Sequence, residues 1–122
     1  MKGILYLPND WGIADQLKDL LEAMIPGENL EVFRSLETFS QRFRQPLDEM
    51  DIAVLLATNH EEFANLFSIQ HLLKDRRIIL IAPDQKEETV ALAHRLRPRH
   101  LTSVDDDLST VPMVLSKMLA LK

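Results

Sequence analysis

Ile52-Ala53-Val54-Leu55-Leu56-Ala57 decides the fold. Side chains alternate across a strand, so six unbroken apolar residues between Asp51 and Thr58-Asn59 mean a strand covered on both faces, as in a parallel sheet between two helical layers. Two more runs share this character: Gly3-Ile4-Leu5-Tyr6-Leu7, closed by Pro8, and Ile78-Ile79-Leu80-Ile81-Ala82, closed by Pro83. These three are expected at the centre of the sheet. Leu30-Glu31-Val32-Phe33 and His100-Leu101-Thr102-Ser103-Val104 mix in polar residues, which suits the edges.

Between the strands the apolar period becomes helical. A first helix carries Ile13, Leu17, Leu20, Leu21 and Met24, with Asn9 or Asp10 as N-cap and Pro26-Gly27 as the stop. Ser35 caps a short second helix bearing Phe39 and Phe43 and ended by Pro46. Asn59 followed by Glu62 starts a third, with Phe63, Leu66, Phe67 and Leu73 on one stripe. Asp84 and Glu87 repeat that device for a fourth, which carries Val90, Ala93 and Leu96 and ends near Pro98. The fifth runs from about Ser109 through Val111, Val114, Leu115, Met118 and Leu119, with Pro112 in its first turn. Five strand-helix units with long crossovers predict a single domain over residues 1–122: an α/β three-layer sandwich with a parallel five-stranded sheet in the flavodoxin-like order 2-1-3-4-5.

With 122 residues, 46% hydrophobic and 27% charged, the chain is large enough to bury a core of its own. Zero Cys excludes disulfides, thiolate metal sites and thiol catalysis, and points to the cytoplasm. No apolar run approaches the roughly 20 residues of a membrane helix, and Met1 is expected to lead into a strand rather than a signal peptide. A net charge of −5 disfavours nucleic acid as a partner.

Ligands of an open parallel sheet bind beyond the carboxyl ends of its strands. The rim candidates are therefore Asn9, Asp10 and Trp11 after the first strand, Thr58 and Asn59 after the third, Asp84 after the fourth, and Ser103 and Asp105 after the fifth. Length, strand order and this rim resemble the receiver domain of bacterial response regulators over nearly the whole chain. That resemblance implies an acidic pair for Mg²⁺ after strand one, a phosphate-accepting Asp closing strand three, a Ser or Thr after strand four and a Lys after strand five. The matching positions hold Pro8-Asn9, with only Asp10 to substitute, then Leu56 or Ala57, Ala82 and Ser103. Phosphoryl transfer to a carboxylate needs nucleophile, cation and product-holding group together. The set is missing, so the chain is read as a degenerate receiver, a pseudo-receiver without enzymatic activity or cofactor.

Other chemistries have less support. Asp10, Glu61, Asp84 and Asp105 are considered as a hard-cation site, but helix capping already explains two of them, and no metal is expected. His60, His71, His94 and His100 lack ligand spacing and read as surface residues. Ser103 with Asp105 or His60 has no Gly-x-Ser-x-Gly elbow, and three Gly in all leave no phosphate-cradling loop. Trp11 is either a partner anchor or packed under a loop.

Arg95, Arg97 and Arg99 form a basic stretch that could grip a phosphate or an acidic partner, or be a solvated helix end. Met113 and Leu121 leave apolar surface on the last helix, in the region through which receivers dimerise and signal. The expectation is a phosphorylation-independent signalling module. A chain ending on its fifth helix would act through a protein partner or as a homodimer, away from nucleic acid and membrane. The alternative is a small-ligand sensor or minor enzyme using the strand-end cleft.

Overall fold

Val54 sits opposite Leu5 on one side and Ile79 on the other, and both pairings are parallel. In the computed structural model, which describes residues 2–9 and 12–119, β1 (Gly3–Tyr6), β2 (Leu30–Phe33), β3 (Ile52–Leu56), β4 (Arg77–Ala82) and β5 (His100–Ser103) form one sheet. Its order is β2-β1-β3-β4-β5 with every neighbour parallel. The fold is thus the flavodoxin-like α/β sandwich expected from the sequence. Every residue of β1 and β3 is buried, whereas all four of β2 are half-buried, as its mixed composition requires.

Six helices flank the sheet among the described residues: α1 (Gly12–Met24), α2 (Leu36–Phe43), α3 (His60–Phe67), α4 (Gln70–Leu73), α5 (Glu87–Ala93) and α6 (Thr110–Met118). Strand alternation divides the core in two. Leu5, Val54, Leu56 and Ile79 face α1 and α6, meeting Leu17, Leu21, Val111 and Leu115. Ile4, Tyr6, Leu55 and Leu80 face α2 to α5, meeting Phe39, Phe63, Leu73 and Ala93. All five phenylalanines and the single tyrosine lie on this second side, and the first is aliphatic throughout its described residues. Phe39 stands at the middle of the aromatic group, 5.4 Å from Tyr6 and 4.7 Å from Phe43 between ring centroids.

The helix starts follow their caps. Ser35 Oγ accepts from the Thr38 amide at 3.2 Å, and Asn59 Oδ1 from the Glu62 amide at 2.8 Å. Ser35→Ala is expected to cost about 1 kcal/mol in a urea titration, the ordinary worth of such a cap. The fourth start differs from expectation. Lys86 holds the N-cap position of α5 without a side-chain bond, and Asp84, two residues earlier, accepts from the Lys86 amide at 2.9 Å to turn the chain into the helix. Thr89 rather than Val90 is the buried residue of its first turns.

The third helix is not continuous. The Ser68 and Ile69 amides bond to Asn65 and Leu66, three residues back, and Ser68 Oγ also donates to the Asn65 carbonyl at 2.6 Å, so the helix tightens and ends before α4 begins. Ile69 and Leu73 still reach the core across the break. At the other side of the molecule Pro112 is buried in the first turn of α6, as its sequence position suggests.

Candidate functional site

The rim beyond the strand ends is built mainly from three bonded groups. After β3, Glu62 Oε1 accepts from the Thr58 amide at 2.8 Å and from the Thr58 hydroxyl at 2.7 Å, while Asn59 caps α3. Beneath them the buried Tyr6 hydroxyl is pushed up from its ordinary value, first by burial and then by the charge of Glu62. The folded state therefore favours the neutral phenol. That contribution is complete below the unfolded value of about 10 and lost as pH rises through the raised one.

After β4, Asp84 Oδ2 lies 2.7 Å from His60 Nε2, a bond that ties the start of α3 to the turn before α5. The Thr89 hydroxyl, the Lys86 amide and His60 together lower the Asp84 carboxyl to about 2, with the Thr89 bond the largest influence. A depressed carboxyl adds stability that is present above the unfolded value of about 3.9. It is lost as pH falls through about 2. Asp84→Asn should accordingly flatten part of the fall in melting temperature between about pH 4 and pH 2.

After β5, Asp106 Oδ2 accepts from Thr102 Oγ1 at 2.8 Å and from the Ser103 amide at 3.1 Å, and Asp106 Oδ1 from Gln85 Nε2 at 2.7 Å. Those bonds hold its carboxyl below the usual range, the Thr102 hydroxyl contributing most. Asp107 accepts from the Ser109 amide at 3.0 Å before α6. The sequence singled out Asp105, which instead is exposed and contributes its amide to Ser103 Oγ at 3.3 Å. Of the three consecutive aspartates, Asp106 closes the turn. Asp106→Ala should lower the melting temperature and Asp105→Ala leave it unchanged.

The other expected residues fall as follows. Asn9 is exposed with a left-handed backbone (φ 74), and its carbonyl accepts from Arg34, which also donates to the Leu7 carbonyl at 3.2 Å. Asp10, Trp11 and Leu121 lie outside the described residues. Ser103 is not an open rim group, because its side chain is buried between Gln85 and Asp106. Leu56, Ala57 and Ala82 are buried aliphatic residues at the strand ends. His100 departs from its reading as a surface residue, since its Nε2 is covered and has no hydrogen-bond partner among the described residues. Among the described residues no cluster of three His, Asp or Glu could hold a metal ion.

The expected interaction face is divided. Met113 is 49% exposed on α6, on the aliphatic side of the sheet. Arg95, Arg97 and Arg99 lie beyond α5, on the aromatic side, and border a hollow with Lys74 and Arg76 that the sequence did not reveal.

Fold and rim together define a doubly wound α/β protein of the flavodoxin-like class. No protein-family model matches the chain, and no curated protein matches it.

Proposed function

We propose that this chain is a phosphorylation-independent, receiver-like module that acts by docking on another regulatory protein, with self-association as one form of that docking. The observation carrying this reading is the aliphatic end of β3. Leu56 and Ala57 are fully buried where a receiver would present its phosphate-accepting carboxylate. The carboxylates nearest in kind, Asp84 and Asp106, are each committed to several hydrogen bonds around the turns they close. The signalling role itself rests on the resemblance in length, strand order and rim.

The small-ligand reading is less well supported, because Thr58 and Asn59, two of the groups it needs, are bonded within their own helix start. Among the described residues no helix is long and apolar enough to cross a membrane. Beryllofluoride with Mg²⁺, a mimic of the phosphoryl group, tests the proposal by amide NMR. The spectrum is expected to stay unchanged. Saturable, Mg²⁺-dependent shifts at Thr58, Asp84 or Ser103 would overturn it.

A further inference from the structure

Five of the protein's 14 lysines and arginines border one groove of about 820 Å³: Lys74, Arg76, Arg95, Arg97 and Arg99. Lys74 and Arg76 directly precede β4, and Arg97 and Arg99 directly precede β5, so the groove opens at the amino-terminal edge of the sheet, away from the rim. Among the described residues Asp75 is its one carboxylate. Among the described residues none of the five cations has an ion-pair partner, whereas Lys2, Lys18 and Arg42 each face a glutamate. In a molecule of net charge −5, five unpaired cations gathered in one place form a local field of the opposite sign.

The groove also has an apolar part. Phe67, Leu73 and Leu96 line it, and a second hollow of about 390 Å³ shares Phe67, Gln70 and Arg95 with it. That second hollow is walled by His60, Phe63, Ala64 and Leu92, the last left 41% exposed, and so extends from the groove toward the rim at His60. Gln70 Nε2 donates to the Arg95 carbonyl at 3.3 Å and so links α4 to the turn after α5 where the hollows meet. Arg97 itself has a left-handed backbone (φ 53) after that turn, the position at which glycine is least strained. A long cation stands where backbone preference alone would place glycine.

We propose that this groove docks an acidic, amphipathic segment of a partner protein, its apolar residues against Leu92, Ala64 and Phe67 and its carboxylates against Arg95, Arg97 and Arg99. The proposal rests on the docking reading above and specifies the partner's chemistry. A compact phosphate would leave the apolar hollow unused, and the cations are strung along two separate segments. A nucleic acid would meet the net negative charge of the remaining surface. Apolar anchors combined with distributed carboxylates fit both parts.

The test is fluorescence anisotropy with a labelled helical peptide of about 16 residues carrying a Leu/Phe stripe and Glu on its other faces. Saturable binding that weakens with added salt is expected. It should fall at least about tenfold for Leu92→Asp and for the double variant Arg95→Glu, Arg99→Glu. Arg97→Gly should weaken binding while melting at the wild-type temperature or above, which separates docking from folding. A peptide with Lys in place of Glu should not bind, and polyglutamate without the stripe should bind more weakly. The proposal is overturned if the acidic peptide fails to saturate, if the arginine variants bind it equally, or if single-stranded RNA of equal charge binds more tightly. Arginine-dependent dimerisation of the protein alone would overturn it in favour of a second copy. Failure of the peptide with a rim silent to beryllofluoride removes only the acidic partner; a responsive rim removes the docking reading itself.

Discussion

Val54→Asp is expected to leave no cooperatively folded protein at room temperature. Val54 is fully buried at the centre of the middle strand, between Leu5 and Ile79, with α1 and α6 over it. Within its cluster the described neighbours are aliphatic, so an aspartate there has no partner and must either stay charged in an apolar medium or take up a proton. Either outcome costs about 4–5 kcal/mol or more, which approaches the whole stability of an ordinary domain. Circular dichroism and a urea titration measure it. A cooperative transition near the wild-type midpoint would contradict the placement of β3.

Phe39→Ala should rank next, with a loss of about 3–5 kcal/mol in the same titration. Its ring is fully buried and touches the Tyr6, Phe33 and Phe43 rings, with centroids 5.4, 6.1 and 4.7 Å away. Truncation removes both the buried area and the ring contacts, and α2 cannot collapse far into the space because the Arg42–Glu31 pair fixes it against β2. That pair is bidentate, at 2.8 and 3.2 Å, and lowers the Glu31 carboxyl chiefly through the Arg42 hydrogen bond. Met113→Ala, at a half-exposed position on α6, should stay within about 0.5 kcal/mol and serves as the control.

The strands were legible because burial on both faces leaves a mark that depends on nothing distant: each of Ile52 to Ala57 must be apolar wherever the helices come from. Their order followed from which runs were wholly apolar and which were mixed. The break between α3 and α4 was not legible, since Leu66, Ile69 and Leu73 keep a helical spacing through it, and one tightened turn hardly disturbs the pattern. Nor could the spacing choose among Asp105, Asp106 and Asp107. The choice is made by a turn, in which the Asp106 amide bonds to the Ser103 carbonyl at 3.0 Å and brings that one carboxylate back to Thr102. The basic groove was half visible. Arg95, Arg97 and Arg99 stand together in the chain, but Lys74 and Arg76 join them only because β4 and β5 are neighbours and both begin at the same edge.

The confinement of Tyr6 and all five phenylalanines to one side of the sheet makes the molecule optically lopsided. The phenylalanine and tyrosine bands of near-ultraviolet dichroism, read apart from the Trp11 band, report the layer of α2 to α5 and carry nothing of the packing of α1 and α6. If the aliphatic layer loosened first, the aromatic signal would persist while amide exchange at Leu17 and Leu115 quickened. Coincident unfolding curves from those two readouts would therefore be a stringent demonstration that both halves melt as one.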